Sequence, residues 1–290
     1  MSKNKETHRG TFGVSPNFSA QHLLINKRLI HDLIDLANIM PCDTVLDIGA
    51  GAGAITFPLA EKAATVLAIE NDPVYVTKLA SKLREGTNIR IKPVDFLRLD
   101  LPGKPFSVVS NIPYSITTPI LGKLLDQPTV PLQRAVLVIE HGAAKRFTAS
   151  PITDPRILKW RMWFDIRIVC TVSPDHFSPR PRVNSAVVAI SRKKNPAVPP
   201  QHHAKFAALA AYGLSRPQLP FFAALADIFS APQMARLVKA LGIERTQPIG
   251  ALREQQWGTL LLAMLQHVEP HRWPKMPKMA KNVTRKKKRR

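Results

Sequence analysis

The pentapeptide Ser110-Asn-Ile-Pro-Tyr114 directly follows a short apolar run, Phe106-Ser-Val-Val-Ser110, and its residues suit one difficult reaction. An exocyclic amine on a nucleic-acid base is a poor nucleophile, because its lone pair is delocalised into the ring. Asn111 brings a side-chain oxygen and Ile112 a backbone carbonyl. Together they can hold the two N–H protons and turn the lone pair toward an incoming methyl group. Pro113 fixes φ and stiffens the loop. Tyr114 offers a ring on which an extruded base can stack. No general base is needed, since the product loses its proton to water after transfer, and catalysis is positioning and electrostatics. A plain turn, capped by Asn and stiffened by Pro, would use the same residue types.

A second group lies upstream. Thr44-Val-Leu-Asp-Ile48 runs into Gly49-Ala-Gly51-Ala-Gly53. Glycines at a strand-to-helix turn let backbone approach a ligand, with no Cβ in the way. The spacing is G-x-G-x-G, one residue tighter than the dinucleotide pattern that makes room for a pyrophosphate. A tight loop preceded by an acid suits S-adenosylmethionine, with Asp47 placed to face its cation. Glu70 follows the next apolar run by about 20 residues, where an acid can accept from both ribose hydroxyls. Asp95 follows a third run and can accept from an adenine amino group. A solvated strand-end acid and a helix cap are the plain alternatives for these two carboxylates. The ordered set is harder to obtain by chance than either alone.

The elements that must position these groups alternate. Strands are predicted at 44–48, 65–69, 89–91, 106–110 and 135–139, with helices at about 19–38, 54–60, 73–83, 118–125 and 142–147. Pro58 sits awkwardly in the second helix. Strand–helix alternation of this kind argues for a parallel sheet covered by helices on both faces. Two later β-rich runs, 163–172 and 183–191, are expected to pair as an antiparallel, hairpin-like edge. Pro196-Ala-Val-Pro-Pro200 reads as a linker into three or four helices over 201–268. The predicted organisation is a basic arm at 1–15, a catalytic domain at 16–195, a small helical RNA-binding domain at 196–268, and a basic disordered tail at 269–290.

Composition narrows the partner. The chain of 290 residues has 42 Lys and Arg against 20 Asp and Glu, a formal net charge of +22. Ten of the cations fall in residues 271–290 with no acid, so the remaining chain is still about +12. Such a surface attracts polyanions, nucleic acid before anionic membrane. Cys42 and Cys170 are the only cysteines, which excludes a disulfide-dense scaffold and suits a reduced cytoplasm. Residues 1–10 carry charges with no apolar run behind them, so no signal peptide is expected. No run of about 20 apolar residues exists, and no Cys/His cluster has metal-site spacing, so neither a membrane span nor a metal is expected.

The glycine loop, the two acids and Asn111-Ile-Pro-Tyr114 together resemble the erythromycin-resistance (Erm) rRNA adenine-N6-methyltransferases, relatives of the small-subunit rRNA adenine dimethyltransferases. The resemblance covers about Pro16 to Lys194 at motif level. It implies a doubly wound, seven-stranded class I methyltransferase (Rossmann-like) α/β sheet with a small all-helical C-terminal domain. It implies S-adenosylmethionine as cofactor, bordered by Asn17 and Ser19 and held by Gly49, Gly51, Glu70, Asp95 and Asn111. Asn17-Phe18 resembles the family's Gln-Asn-Phe motif, with Pro16 in place of the Gln. The same resemblance assigns Asn111, Pro113 and Tyr114 to the catalytic loop. His176-Phe-Ser-Pro-Arg-Pro-Arg-Val-Asn-Ser185 resembles the family's late aromatic motif, which implies that Phe177 closes on the target base opposite Tyr114. Arg180 and Arg182, with Lys145 and Arg146, are placed to meet phosphates. The implied substrate is one adenine near the peptidyl-transferase centre of 23S rRNA, whose methylation blocks macrolide, lincosamide and streptogramin B binding. A monomer in the cytoplasm is expected. Ile112 and the Glu140-His-Gly-Ala-Ala-Lys145 run favour this branch over a housekeeping small-subunit dimethyltransferase. A non-catalytic RNA-binding descendant of the fold would not need the full set Gly49, Glu70, Asp95, Asn111 and Tyr114.

Overall fold

The computed structural model describes residues 22–276. The arm at 1–15, and Asn17 and Ser19 with it, lie outside the described residues, as do residues 277–290. The first half alternates as the sequence predicts: β1 (Leu23–Leu24), α1 (Lys27–Ala37), β2 (Thr44–Ile48), α2 (Thr56–Ala60), β3 (Thr65–Glu70), α3 (Pro73–Ala80), β4 (Ile89–Pro93), β5 (Phe106–Asn111), α4 (Thr117–Leu125), β6 (Leu132–Glu140) and α5 (His141–Thr148). Then follow α6 (Pro155–Trp163), β7 (Phe164–Val172), β8 (Phe177–Ser178) and β9 (Ser185–Arg192). The last helices are α7 (His203–Gly213), α8 (Phe221–Ala224), α9 (Ala231–Leu241) and α10 (Glu254–His267).

Seven strands form one sheet in the order β4-β3-β2-β5-β6-β9-β7. The first five are mutually parallel, and β9 runs antiparallel to both its neighbours. The late strands do pair with each other, as expected, but β9 is wedged inside the sheet and only β7 is an edge. Alternate side chains of the central strands go to opposite faces. Val45, Val109, Val136 and Val138 pack with α1, α2 and α3. Leu46, Val108, Leu137 and Ile139 pack with α4, α5 and α6. Strands buried on both faces read as continuous apolar runs, which is why they were legible.

Helix α1 starts at Lys27, later than the sequence pattern suggests. Asn26 caps it by accepting from Leu29 N at 3.0 Å, and the residues before it pair as β1 with β8 instead. Pro58 is accommodated because it is the third residue of α2, where an N–H has no intrahelical acceptor to lose. Helix α6 was not foreseen. It buries Ile157, Leu158, Trp160, Met162 and Trp163 and so lacks a one-faced apolar period, although Asp154-Pro155 at its start is a capping signal.

Of the C-terminal helices, α7 and α10 sit on α6 and α9 packs on α10, and their apolar residues continue the cluster beneath α4 to α6. The linker is clamped rather than free. Val198 is 0% exposed, Trp163 donates Nε1–H to its carbonyl at 2.8 Å, and Trp163 meets Phe206 edge-on. Arg161 pairs with Glu254 across the same junction. The start of the predicted disordered tail is also ordered. Residues 270–272 form a 3-10 turn, Arg272 donates to the Asp227 carbonyl, and Trp273 packs on the core beneath Lys205. An indole that can bury its ring and hydrogen-bond the Val268 carbonyl overrides the basic composition around it.

Candidate active site

The loops after β2, β3 and β5 meet at one end of the sheet, at the carboxyl ends of its strands, where open α/β sheets bind ligands. Ser110, the penultimate residue of β5, ties two of them together. Its hydroxyl accepts from Ile48 N at 2.9 Å and donates to the Ile48 carbonyl at 2.6 Å. The glycine loop and the Asn111 loop are thereby held in one register. Sequence reasoning missed this role, because Ser107 and Ser110 stand in the same strand and nothing local tells them apart.

Gly49, Gly51 and Gly53 all have positive φ, at 75°, 53° and 90°. A Cβ on Gly51 would stand 2.9 Å from a Leu23 methyl, and one on Gly53 would overlap Phe57 and Leu79. The loop therefore needs glycine for conformation and for space. Glu70 is buried and holds the loop directly. Its Oε2 accepts from Gly51 N at 2.8 Å, and its Oε1 accepts from Asn71 N and Asp72 N, each at 2.9 Å. Asp95 accepts from Leu97 N at 2.9 Å, capping the turn Phe96–Arg98 as its plain reading expected. It also lines, with Glu70, Gly49, Phe96, Pro113 and Ile116, a cavity of about 240 Å³.

A larger cavity of about 420 Å³ lies on the other side of Gly49, bounded by Asp47, Asn111, Leu23, Ile30 and Ile55. A narrow third space, lined by His22, Gly49, Asn111, Pro113 and Tyr114, lies between. Gly49 borders all three. Asp47 is fully buried, and that desolvation pushes its carboxyl up to about 7; Thr56 Oγ–H, donating at 2.7 Å, and Ser110 oppose the shift, while the nearby Glu70 adds to it.

Asn111 donates Nδ2–H to the His22 carbonyl at 2.7 Å, and its Oδ1 is buried with no hydrogen-bond partner. A buried acceptor without a donor is costly, so native proteins rarely leave one unless something else fills it. Tyr114 lies half-buried on the 3-10 turn after Pro113, and its hydroxyl shares a hydrogen bond with Ser185. Burial, aided by the charge of Glu140, raises its pKa, so the phenol stays protonated.

The structure thus brings together Gly49, Gly51, Glu70, Asp95, Asn111, Pro113 and Tyr114. Phe177 is placed differently. It is 3% exposed in the apolar cluster of Leu24, Ile30 and Val187, its strand β8 paired with β1, and it lines none of the three spaces. The ring beside Tyr114 is His22, with centroids 5.6 Å apart and Nδ1–H donated to the Pro179 carbonyl at 2.7 Å. His22 and Leu23 were not singled out in the sequence. Gln21-His22-Leu23 repeats the Gln-polar-apolar order of the motif sought at Asn17-Phe18, and that pattern was the missed signal. Arg180 pairs with Asp175, and Arg146 donates to Thr118 Oγ at 3.1 Å; Lys145 and Arg182 are exposed. Among the described residues, no cluster of His, Cys, Asp and Glu is arranged to hold a metal, and no helix is long and apolar enough to cross a membrane.

Comparison with known proteins agrees with this geometry. The family model "Ribosomal RNA adenine dimethylase" matches residues 16–265. An rRNA adenine N-6-methyltransferase of Bacillus licheniformis is 46% identical over 281 residues, covering 96% of this chain and 98% of the relative. The ribosomal RNA small subunit methyltransferase A of Acaryochloris marina is 31% identical over 250 residues, covering 82% and 93%. Among solved structures, the 23S rRNA methyltransferase ErmE superposes with a TM-score of 0.74 at 24% identity, over 84% of this chain and 100% of that one, and shares the fold.

Proposed function

The chain belongs to the ribosomal RNA adenine dimethylase family, and from that premise we propose that it methylates N6 of an adenine in 23S rRNA near the peptidyl-transferase centre. It is an rRNA adenine-N6-methyltransferase and uses S-adenosylmethionine. The observation that carries the site assignment is the bare, buried Asn111 Oδ1 at the junction of the cavities.

The residues present fit the cofactor. Glu70 and Asp95 supply carboxylate acceptors for an adenosine in the smaller cavity, and Asp47 an acid for the amino-acid part in the larger one. Gly49, with no side chain, borders both cavities and the narrow space beside Asn111. When bound, the sulfonium supplies an electrophilic methyl group. Asn111 Oδ1 accepts one N–H of the target amine, with the Ile112 carbonyl as second acceptor, which turns the nitrogen lone pair toward that methyl. The amine nitrogen would take that methyl, the sulfur keeping the C–S electron pair, and the amine proton would leave to water. Pro113 keeps the loop rigid and Tyr114 stacks the extruded base. Such stacking is worth about 1–3 kcal/mol. Phe177 joins the clasp only if RNA binding uncovers it.

The graded likeness, 46% to the Bacillus licheniformis N-6-methyltransferase against 31% to the small-subunit enzyme of Acaryochloris marina, favours a target other than the small-subunit rRNA, and the resemblance of Ile112 and the Glu140-His-Gly-Ala-Ala-Lys145 run to the Erm branch supports the 23S choice. The net charge of +22 suits an rRNA partner, met in the cytoplasm by a monomer. Residues 16–195 would carry the chemistry, and the helices after Pro199 would add RNA contacts. Methyl groups on the amine remove donors and add bulk, which would produce a resistance phenotype. Expression in a macrolide-sensitive bacterium tests this reading. Raised tolerance to macrolides, lincosamides and streptogramin B together is expected, and unchanged tolerance would favour the small-subunit role.

A further inference from the structure

Ser185 is a buried polar residue that the chemistry above leaves unused. It is the first residue of β9 and is 0% exposed. It pairs with Glu140 of β6 on one side and Val172 of β7 on the other, so its backbone is fixed by two ladders. Its hydroxyl meets the hydroxyl of Tyr114, 71 residues earlier in the chain. Tyr114 itself stands on a short 3-10 turn capped by Pro113, with no side-chain hydrogen bond at the cap. A ring on such a turn can rotate about χ1 unless something holds its far end. His22 flanks the ring at 5.6 Å but is tilted by 37°, so it crowds the ring without stacking flat on it.

We propose that Ser185 is a positioning residue for methyl transfer: by hydrogen bonding to the Tyr114 hydroxyl from a fixed strand, it sets the angle of the ring on which the target base stacks. The inference rests on the reading of Tyr114 as that platform. The geometry is directional. Asn111 Oδ1 is fixed through Nδ2 and the His22 carbonyl, so the base must be presented at one tilt for its amine to reach that oxygen. A platform free to swing would still bind the base but would present the amine at the wrong angle. Ser185 therefore acts on the turnover step more than on cofactor binding.

A double-mutant cycle on the full chain tests this, with S-adenosylmethionine and an rRNA hairpin carrying the target adenine. Ser185→Ala and Tyr114→Phe each delete one partner of the same bond. Each is expected to lower kcat by roughly three- to tenfold, the range for one neutral hydrogen bond, with KM for the cofactor unchanged. The double variant should fall no further than the lower single variant, because both changes remove one interaction. A hairpin with 2-aminopurine at the target position adds a readout that a general loss of fold or of base binding would move. Its fluorescence is quenched on stacking, and quenching should persist in both single variants while kcat falls. Losses that multiply in the double variant, or a Ser185→Ala kcat equal to wild type, would overturn the proposal. Tyr114→Ala separates it from its premise. If Tyr114→Ala leaves both quenching and kcat intact, the platform reading fails and the inference with it. If Tyr114→Ala loses both while Ser185→Ala changes nothing, only the role of Ser185 fails. Tyr114→Phe probes the same bond should Ser185→Ala fold poorly.

Discussion

Asn111 spends its side-chain N–H on the backbone carbonyl of His22, at 2.7 Å, and thereby leaves its buried Oδ1 as a pure acceptor with nothing to accept from. The bond fixes which end of the amide faces the cavity. A chain segment that the sequence pattern placed inside a helix therefore orients the residue to which the proposed mechanism assigns the amine.

Replacement of Asn111 by Ala should abolish this orientation. Methyl transfer is expected to fall by at least about a hundredfold, comparable to deleting a preorganised group that acts in the transition state. S-adenosylmethionine affinity, read by calorimetry, should change far less. Equal losses of binding and turnover would move Asn111 from catalysis to cofactor binding.

Glu70 accepts from three backbone N–H groups, so Glu70→Gln must turn an NH₂ toward one of them. The variant should lose about 1–3 kcal/mol of stability through an unsatisfied buried pair. It should also bind S-adenosylmethionine more weakly. Denaturant titration and calorimetry on the same sample report the two effects. Unchanged cofactor affinity would leave Glu70 as a brace for the glycine loop only.

Asp47 supplies a pH dependence. Its carboxyl is pushed up to about 7 in the fold, chiefly by burial, from an ordinary value of 3.8. The folded state therefore binds this proton more tightly than the unfolded state. The associated stability is fully present below pH 3.8 and is lost as pH rises through about 7. Between pH 5 and 8 the ligand-free protein should lose denaturation midpoint, and Asp47→Asn should flatten that slope. Parallel slopes for the two proteins would show that another group is responsible.

Much of this was legible because the central strands are buried on both faces and announce themselves as apolar runs, and because glycine, proline and acids punctuate each strand end. What escaped had weaker local signals. Helix α6 intersperses Arg156, Lys159 and Arg161 among its buried apolar residues, so it shows no clean period. Ser110 and Ser185 act across 62 and 71 residues of chain, and nothing local marks a serine for such a partner. His22 escaped because the resemblance places the cofactor motif at Asn17-Phe18. Phe177 was given an open ring by resemblance, whereas its pairing through β8 with Leu24 buries it.

The end of the chain should divide into two parts. Removing residues 269–290 takes away Trp273 and Arg272, which pack on the helical region, and should lower the thermal midpoint. Removing only 277–290, which hold eight Lys and Arg, should leave the midpoint nearly unchanged. It should make the dependence of rRNA affinity on salt shallower, since each phosphate neutralised releases counterions. Binding isotherms at three salt concentrations check the second effect; superimposable slopes would assign those residues no RNA contact.

The most direct measurement is a map of N6-methylated adenines in the rRNA of cells expressing the chain, by primer extension and mass spectrometry of the isolated subunits. The account predicts new methylation at one adenine near the peptidyl-transferase centre of 23S rRNA, absent when Asn111 is replaced by Ala. Methylation confined to adjacent adenines of the small-subunit rRNA, or a 23S signal that survives Asn111→Ala, would contradict it.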